Sequence, residues 1–289
     1  MHTESCVVLK IEQFDSNAVF RLIELSESVG WDYDEQEIHT ILSSGCIYGH
    51  KNRDGRIVSS AAIIPYDTNI ASIGMVIVSP DYRGLGLGKE VTQTCIDRVS
   101  TDTSIMLIST EEGKPLYERL GFKTVDVIHK FLCEKFIPNL HDSTKGFTIE
   151  YYQTADFHKV KELDSAAFGD QRSTFLLNRI KQCKQCVVVK NQYHEIIGFG
   201  LSIQGPINLI LGPIVAPNDY IAASIVNALA SNHGGNLRID VPSGHSEFMT
   251  FLDTCGFKKV NEPPIMIKNS ATMPKRNKEL FGISAQVFG

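Results

Sequence analysis

The sequence predicts an α/β (α+β) protein made of two similar halves. Two observations carry this. An apolar, β-branched run ending in Val76-Ile77-Val78 gives way to a glycine-rich turn and then a helix, which is the strand–turn–helix step of an α/β fold. The second observation is a repeat. Cys255-Gly256-Phe257-Lys258 echoes Leu120-Gly121-Phe122-Lys123 about 135 residues later, and the strands and helices before it follow the same order. Repetition at half the chain length marks a duplicated domain, not a solenoid. A chain of 289 residues is also longer than one average domain.

The elements follow from local pattern. Residues 7–11 read as a short strand. Residues 17–29 are helical because Val19, Leu22, Ile23 and Leu25 share one face. Gly30-Trp31-Asp32-Tyr33-Asp34-Glu35 interrupts that helix, and 38–42 suggests a second. Strands over 47–50 and 57–64 flank Asn52-Arg53-Asp54-Gly55, a hairpin turn sequence. The next strand, 70–78, ends at Pro80-Asp81. The helix after the glycines places Val91, Cys95, Ile96 and Val99 on one face. A strand over 105–108 leads to a short helix with Pro115 near its start and Gly121 at its C-cap. Residues 125–132 form the last strand of this half.

Residues 138–146 are polar and read as a linker, dividing the chain into 1–138 and 139–289. The second half predicts a strand over 147–152, helices over 157–168 and 173–182, and strands over 186–190, 196–203 and 209–215. A helix over 220–230, a strand over 237–241 and a short helix over 247–254 complete it.

Composition narrows the function. With 43% hydrophobic and 21% charged residues the chain has the balance of a soluble globular protein. A net charge of −5 gives no support to general nucleic-acid binding. Seven irregularly spaced cysteines argue against a disulfide framework. Cys183 and Cys186 have no second pair to complete a zinc site and read as packing, so no metal is expected. No apolar run reaches the roughly 20 residues that cross a bilayer, and no signal-peptide core is evident. A cytoplasmic protein without a membrane partner is expected.

Chemistry concentrates at Arg83-Gly84-Leu85-Gly86-Leu87-Gly88-Lys89. Alternate glycines let the backbone approach a ligand. Successive N–H groups at a helix start, with the positive dipole end, form an anion site. Arg83 at the lip adds a fork of donors suited to phosphate. A magnesium-nucleotide loop is excluded because Glu90, not Ser or Thr, follows Lys89. The dinucleotide fingerprint has a different glycine spacing. What fits is Arg-x-x-Gly-x-Gly directly after a Val-rich strand. That pattern resembles the pyrophosphate loop of the GNAT superfamily, the Gcn5-related N-acetyltransferases. Pro115-Leu116-Tyr117-Glu118-Arg119-Leu120-Gly121-Phe122, about 30 residues on, resembles the segment that closes the acetyl-CoA site in the same family.

The resemblance implies two tandem GNAT domains, each a mixed, mostly antiparallel sheet flanked by helices. It implies acetyl-CoA as co-substrate, its diphosphate on residues 83–89 and its pantetheine arm paired to Val76, Ile77 and Val78. The strand carrying them would splay from the next, and a backbone N–H near Val76 would meet the thioester oxygen. Tyr117 would protonate the leaving thiolate, with Leu116 and Leu120 facing the core. The function implied is transfer of an acetyl group to a primary amine of a small molecule by direct attack on the thioester. A non-catalytic acyl-CoA sensor and a protein or peptide N-acetyltransferase are the alternatives. The asparagine that family members often carry near the position of Thr110 or Glu111 is absent.

An alkylamine has a pKa near ~10, so it must lose a proton before attack. Glu111, Glu112, Asp32, Asp34 and Glu35 are candidate bases, and deprotonation through water is another route. The run Trp31-Asp32-Tyr33-Asp34-Glu35 is an aromatic and acidic cluster expected to attract a cationic acceptor, a polyamine-like molecule, an amino sugar or a peptide N-terminus, with Trp31, Asp32 and Asp34 as its binding residues. The second half has Ala216-Pro217-Asn218-Asp219 where the glycine loop should be, and Leu252 or Phe251 at the tyrosine position. One catalytic site, in the first half, is therefore expected, in a monomer or homodimer.

Overall fold

Each half of the chain repeats one order of elements. The computed structural model describes residues 9–139 and 146–289. The first half comprises β1 (Ile11–Phe14), α1 (Val19–Glu27), α2 (Glu35–Ser44), β2 (Cys46–Lys51), β3 (Ile57–Pro65), β4 (Ile70–Val78), α3 (Leu87–Ile96), β5 (Ser104–Ile108), α4 (Lys114–Arg119) and β6 (Lys123–Cys133). The second comprises β7 (Phe147–Tyr151), α5 (Phe157–Phe168), α6 (Ser173–Gln182), β8 (Gln185–Asn191), β9 (Ile196–Gln204), β10 (Leu209–Val215), α7 (Asp219–Ala230), β11 (Leu237–Pro242) and α8 (Ser246–Thr254). Three more strands follow: β12 (Lys258–Asn261), β13 (Pro264–Lys268) and β14 (Leu280–Gly282).

The predicted mixed, mostly antiparallel architecture is present. Two boundaries move for local reasons. The first strand begins at Ile11, where the expected one ended, because pairing with β2 runs from Ile11 to Phe14 and Phe14 is its buried anchor. The first helix starts later than expected. Asp15 accepts the Asn17 N–H and opens a 3-10 turn over Ser16–Ala18 before α1 begins. The expected linker at 138–146 lies mostly outside the described residues.

Sheet order is β1-β2-β3-β4-β5-β13-β6-β11-β10-β9-β8-β7, with β12 beside β6 and β14 beside β10. The halves exchange strands. β13, from the second half, lies antiparallel between β5 and β6 of the first. β6 pairs with β13 up to Val127 and with β11 from Ile128 to Cys133. Burial explains why β13 takes this place. Ile265, Met266 and Ile267 are each at most 1% exposed, so both faces of the strand are covered, as a central strand requires. Pro264 sits at its first position, where a missing N–H is tolerated. Nothing in the sequence reading predicted β12, β13 or β14. A boundary at 138/139 thus separates the elements of the two halves in sequence, while the sheet crosses it.

Three apolar clusters hold these layers. The largest packs α1 and α2 of the first half with α5 and α6 of the second, so it belongs to both. One cluster lies under α3 and α4 and another under α7 and α8. Polar contacts lock the halves together. The β3–β4 hairpin docks on the second half through Asp170, which accepts from Thr68 Oγ1 (2.5 Å), Asn69 N (3.0 Å) and Ile70 N (2.9 Å). Asp67 returns the contact by accepting from Ser173 N at the start of α6 (3.0 Å). Beneath them Arg172 Nε and Nη2 each donate to Asp164 at 2.8 Å, in full burial and against the Phe168 ring. A paired buried charge of this kind adds little net stability, yet loss of one partner strands the other in a dry core.

Candidate active site

β4 builds the site by leaving its neighbour. It pairs in parallel with β5 only at Ile70, Ala71 and Ser72, opposite Ser104, Ile105 and Met106. On its other edge the register with β3 slips between Ser60 and Ala62. The slip is a bulge at Met75, a non-glycine residue with φ of 51°, held by a hydrogen bond from Ser60 Oγ to Met75 O (2.9 Å). Past the bulge, Ile77 and Val78 continue on β3 while β5 turns to β13. The strand edge at Val76–Val78 thereby faces a wedge, and its polar groups suit an extended ligand.

The glycine loop follows at the head of this wedge. Gly84 and Gly86 have φ of 80° and 81°, the left-handed region in which a Cβ is strained, although open space surrounds both. Arg83, Leu85 and Lys89 are exposed, and Leu87 is buried as the first anchor of α3. The first intrahelical bond runs from Glu90 N to Gly86 O (3.1 Å). The N–H groups of Leu87, Gly88 and Lys89 belong to the first turn, where a helix has no acceptors of its own. Gly86, the N-cap residue, has no side chain to cover them. Behind them, His50 is buried between Ser59 Oγ (2.7 Å from Nδ1) and Glu90 (3.4 Å from Nε2).

Tyr117 is buried in the cluster under α3 and α4, in an edge contact with Phe122 at 6.0 Å. Burial raises its pKa, so the phenol stays protonated at neutral pH. Leu120 is buried as expected. Leu116 is not: it is only half-buried and reaches toward the glycine loop, 3.5 Å from where a Gly88 Cβ would stand. The short helix is rotated relative to the sequence expectation, and Tyr117 takes the inward place. Gly121 ends the helix with φ of 88°.

A cavity of about 230 Å³ opens beside the wedge. The first half contributes Trp31, Asp32 and Asp34 from the loop before α2, Met75 at the bulge, Thr110 after β5, and Lys130 on β6. The second half contributes Gln182, the 203–206 turn, Arg238 and Gln286. The three residues expected at the acceptor thus line one space. Two carboxylates in this lining are committed to structure, one of them among the three. Asp34 is the N-cap of α2, its Oδ1 accepting from Glu37 N at 2.7 Å, and burial raises its pKa against that bond. Glu37 pairs with the buried Arg179, which also donates to Ser284 O at 2.9 Å. Glu111 and Glu112 are exposed and outside the lining, as is Glu35, which sits 3.7 Å from His39.

Sequence reasoning missed Lys130 and Arg238; Tyr33, inside the expected cluster, lines the cavity with them. Burial raises the Tyr33 pKa, followed by the charge of Glu37; Asp32 and Tyr117 push the same way and Arg238 opposes them. Tyr33 therefore lies within electrostatic reach of Tyr117 on one side and of the cavity charges on the other. Lys130 had a signal: it is a charge inside the apolar run Ile128-His129-Lys130-Phe131-Leu132.

The second half shows the same scaffold closed. β10 pairs with β11 only at Leu209 and Ile210, so the strands part as β4 and β5 do. Here β14 enters the gap, pairing with β10 at Ile214 and Val215. Ile283 N donates to Asp240 O (2.9 Å) and Ala216 N to Glu279 O (3.0 Å). The approach is so tight that a Cβ on Gly212 would stand 2.0 Å from Ile283 O. At the start of α7, Asn218 caps Ile221 N (3.0 Å) and Asp219 supplies a negative charge. Glu90 gives α3 a first-turn charge too, and Asp219 accepts from Phe248 N (3.0 Å), so the Asn218 cap is what sets the two helix starts apart. Leu252 matches Tyr117, since Phe257 N bonds to Leu252 O as Phe122 N bonds to Tyr117 O, both at 3.0 Å.

Comparison with known proteins agrees with this geometry. Residues 35–136 and 160–282 each match a family described as an acetyltransferase (GNAT) domain. An uncharacterized N-acetyltransferase, YitH of Bacillus subtilis (strain 168), is 37% identical over 286 residues, spanning 98% of this chain and 99% of that one. The chain belongs to the GNAT acetyltransferase family. Its enzymatic class is acyl transfer, for which this family draws on acetyl-CoA. A shorter GNAT match is a glucosamine 6-phosphate N-acetyltransferase of Trypanosoma brucei brucei, 40% identical over 77 residues, 24% of this chain and 52% of that one. Among solved structures, a Pyrococcus horikoshii protein superimposes with a TM-score of 0.81 at 19% identity, covering 100% of this chain and 99% of its own. A tandem GNAT protein from the clavulanic acid biosynthesis pathway gives a TM-score of 0.67 at 12% identity, covering 91% and 99%. At these identities the structural matches establish the fold. No three or more His, Cys, Asp or Glu among the described residues group to hold a metal. No described helix is long and apolar enough to cross a membrane.

Proposed function

We propose that this chain transfers an acetyl group from acetyl-CoA to the primary amine of a small molecule, using one site in its first half. The observation that carries the reading is the open wedge past Ser72, with an uncapped helix start at its head and a cavity at its side. The diphosphate would rest on the N–H groups of residues 83–89, with Arg83 at the rim. The pantetheine amides would pair with Val76, Ile77 and Val78. The thioester would then lie by the bulge, where a backbone N–H near Val76 would stabilise the developing oxyanion.

The amine would enter between Trp31, Asp32 and Asp34. Of these carboxylates Asp34 is the better proton acceptor, because burial lifts its pKa toward that of the amine. The amine nitrogen forms a bond to the carbonyl carbon, the C–S bond breaks, and the thiolate leaves. Tyr117 would donate a hydrogen bond to that thiolate. From reference values near ~8.5 for the thiol and ~10 for the phenol, full proton transfer is uphill by about 2 kcal/mol. A thiolate in the same dry setting is destabilised too, which narrows the gap.

A small acceptor fits better than a protein chain. The cavity is walled by parts of both halves and, at about 230 Å³, is smaller than the usual ligand pocket of about 300–1,000 Å³. One chain supplies every wall named, so the site needs no second copy. The test is thiol release with an amine panel. CoA should appear only when an acceptor is present, and CoA should bind in a ratio of one per chain. Tyr117→Phe should lower kcat by roughly tenfold or more, in the range for a lost general acid, while CoA affinity holds. An unchanged kcat would remove Tyr117 from the mechanism. CoA binding without turnover on any amine would favour the sensor reading.

A further inference from the structure

Two charges of opposite sign line the cavity without a hydrogen bond or ion pair among the described residues: Asp32 and Lys130. Every other charged group there is committed. Glu37 holds Arg179, and Asp34 caps α2. Arg238 gives Nε (3.0 Å) and Nη2 (2.7 Å) to the same Asp240 oxygen, which leaves Nη1 over. Lys130 stands opposite Asp240 in the β6–β11 ladder, but that carboxylate is hydrogen-bonded to Arg238 and acts on Lys130 only through its charge. Burial and the neighbouring Arg238 both lower the basicity of Lys130. An ammonium half withdrawn from water gains most from an anion that completes its coordination. Asp32, next to Trp31 in the same lining, has the reverse need, and its charge acts on both Lys130 and Arg238. Gln204 and Gln286 are also in the lining and are neutral.

We propose that the acceptor is an amine that also carries an anionic group, a carboxylate or a phosphate, with its ammonium facing Asp32 and its anion held by Lys130 and Arg238. Lys130 is then the residue that sets specificity. The inference rests on the reading of this cavity as the acceptor site.

The experiment uses two matched pairs on the full chain: an α-amino acid against its carboxamide, and an amino sugar against its 6-phosphate. Thiol release gives kcat/KM for each. Calorimetry on CoA-saturated protein gives binding independently of turnover. In one pair the anionic member should be preferred by about tenfold or more, the effect of one charge-assisted contact. That preference should weaken with added salt. Lys130→Met should bring it near unity, with CoA affinity reporting that the variant is folded. Lys130→Arg should keep most of it, and arginine cannot act as a base. The responding pair identifies carboxylate or phosphate. Equal or better performance of the neutral member in both pairs overturns the proposal, as does a preference that survives Lys130→Met. A binding preference without turnover would support this inference and sink the enzymatic reading. Turnover without preference would do the reverse.

Discussion

The two halves share a scaffold and differ in what stands in the gap between their parting strands. In the first, β4 leaves β5 after Ser72, the C-terminal segment packs on it through Val287 at Ser72 and Gly74, and no described strand takes up the edge beyond Val76 on that side. In the second, β10 leaves β11 after Ile210 and the chain fills the wedge itself with β14. The helix starts differ to match. α3 begins on Gly86, with no capping side chain, whereas α7 is capped by Asn218; each carries one acidic residue in its first turn, Glu90 and Asp219. Parting strands alone therefore do not make a cofactor site. The fold survives their closure because backbone pairing from β14 meets the same N–H and C=O groups that a ligand would meet.

The largest test of this comparison is to pull the plug. Phe281 is 2% exposed and packs on His245 (4.0 Å) and on Phe248 (5.2 Å). Phe281→Ala should cost about 3–4 kcal/mol in urea unfolding. CoA stoichiometry should stay at one, since α7 remains self-capped. A second equivalent of bound CoA would show that β14 alone closes the second site. On the open side, Arg83→Ala should weaken CoA binding by about 1.5 kcal/mol, roughly tenfold. This is the low end for a charge-assisted bond, because the guanidinium stays in contact with water. Unfolding of the free protein should not change. Equal CoA affinity would take Arg83 out of the site.

Asp34→Ala should cost about 1 kcal/mol of stability through the lost cap of α2. It should also slow turnover, whereas a purely structural role would leave kcat alone. The smallest effect concerns pH. One histidine in each half, His50 and His245, has its pKa lowered chiefly by burial, against the pull of Glu90 and Asp219 respectively. In the unfolded chain both titrate near ~6.5. Below that pH the unfolded state takes up protons that the folded state refuses, so stability should fall as pH drops from about 6.5 and be level above it. His50→Gln should flatten part of that slope. A urea midpoint that ignores pH between about 5 and 7 would contradict the buried, neutral state of both rings.

Much of the fold was legible because local chemistry decides it. The strand Ile70–Val78 and the helices Phe157–Phe168 and Ser173–Gln182 lie at their expected bounds, each a clear apolar period closed by turn residues or glycine. The candidate site was legible only where one segment builds it. The Arg83–Lys89 loop and the Trp31–Asp34 loop each signal themselves by composition. Lys130, Arg238 and Gln286 come from three distant stretches, and no local pattern joins them. Leu116 and Tyr117 were assigned opposite faces because six helical residues are too few for a period to be read.

By itself the sequence determined the glycine-rich turn at a helix start, since alternate glycines there have only a few uses, and it determined that the turn occurs in one half alone. Tertiary structure decided where the edges go. A period of two says which face of a strand is buried and nothing about which strand lies beside it. Only the assembled sheet could put β13 into the first half, β14 into the empty gap of the second, and an unpaired lysine of one half among the walls of the other.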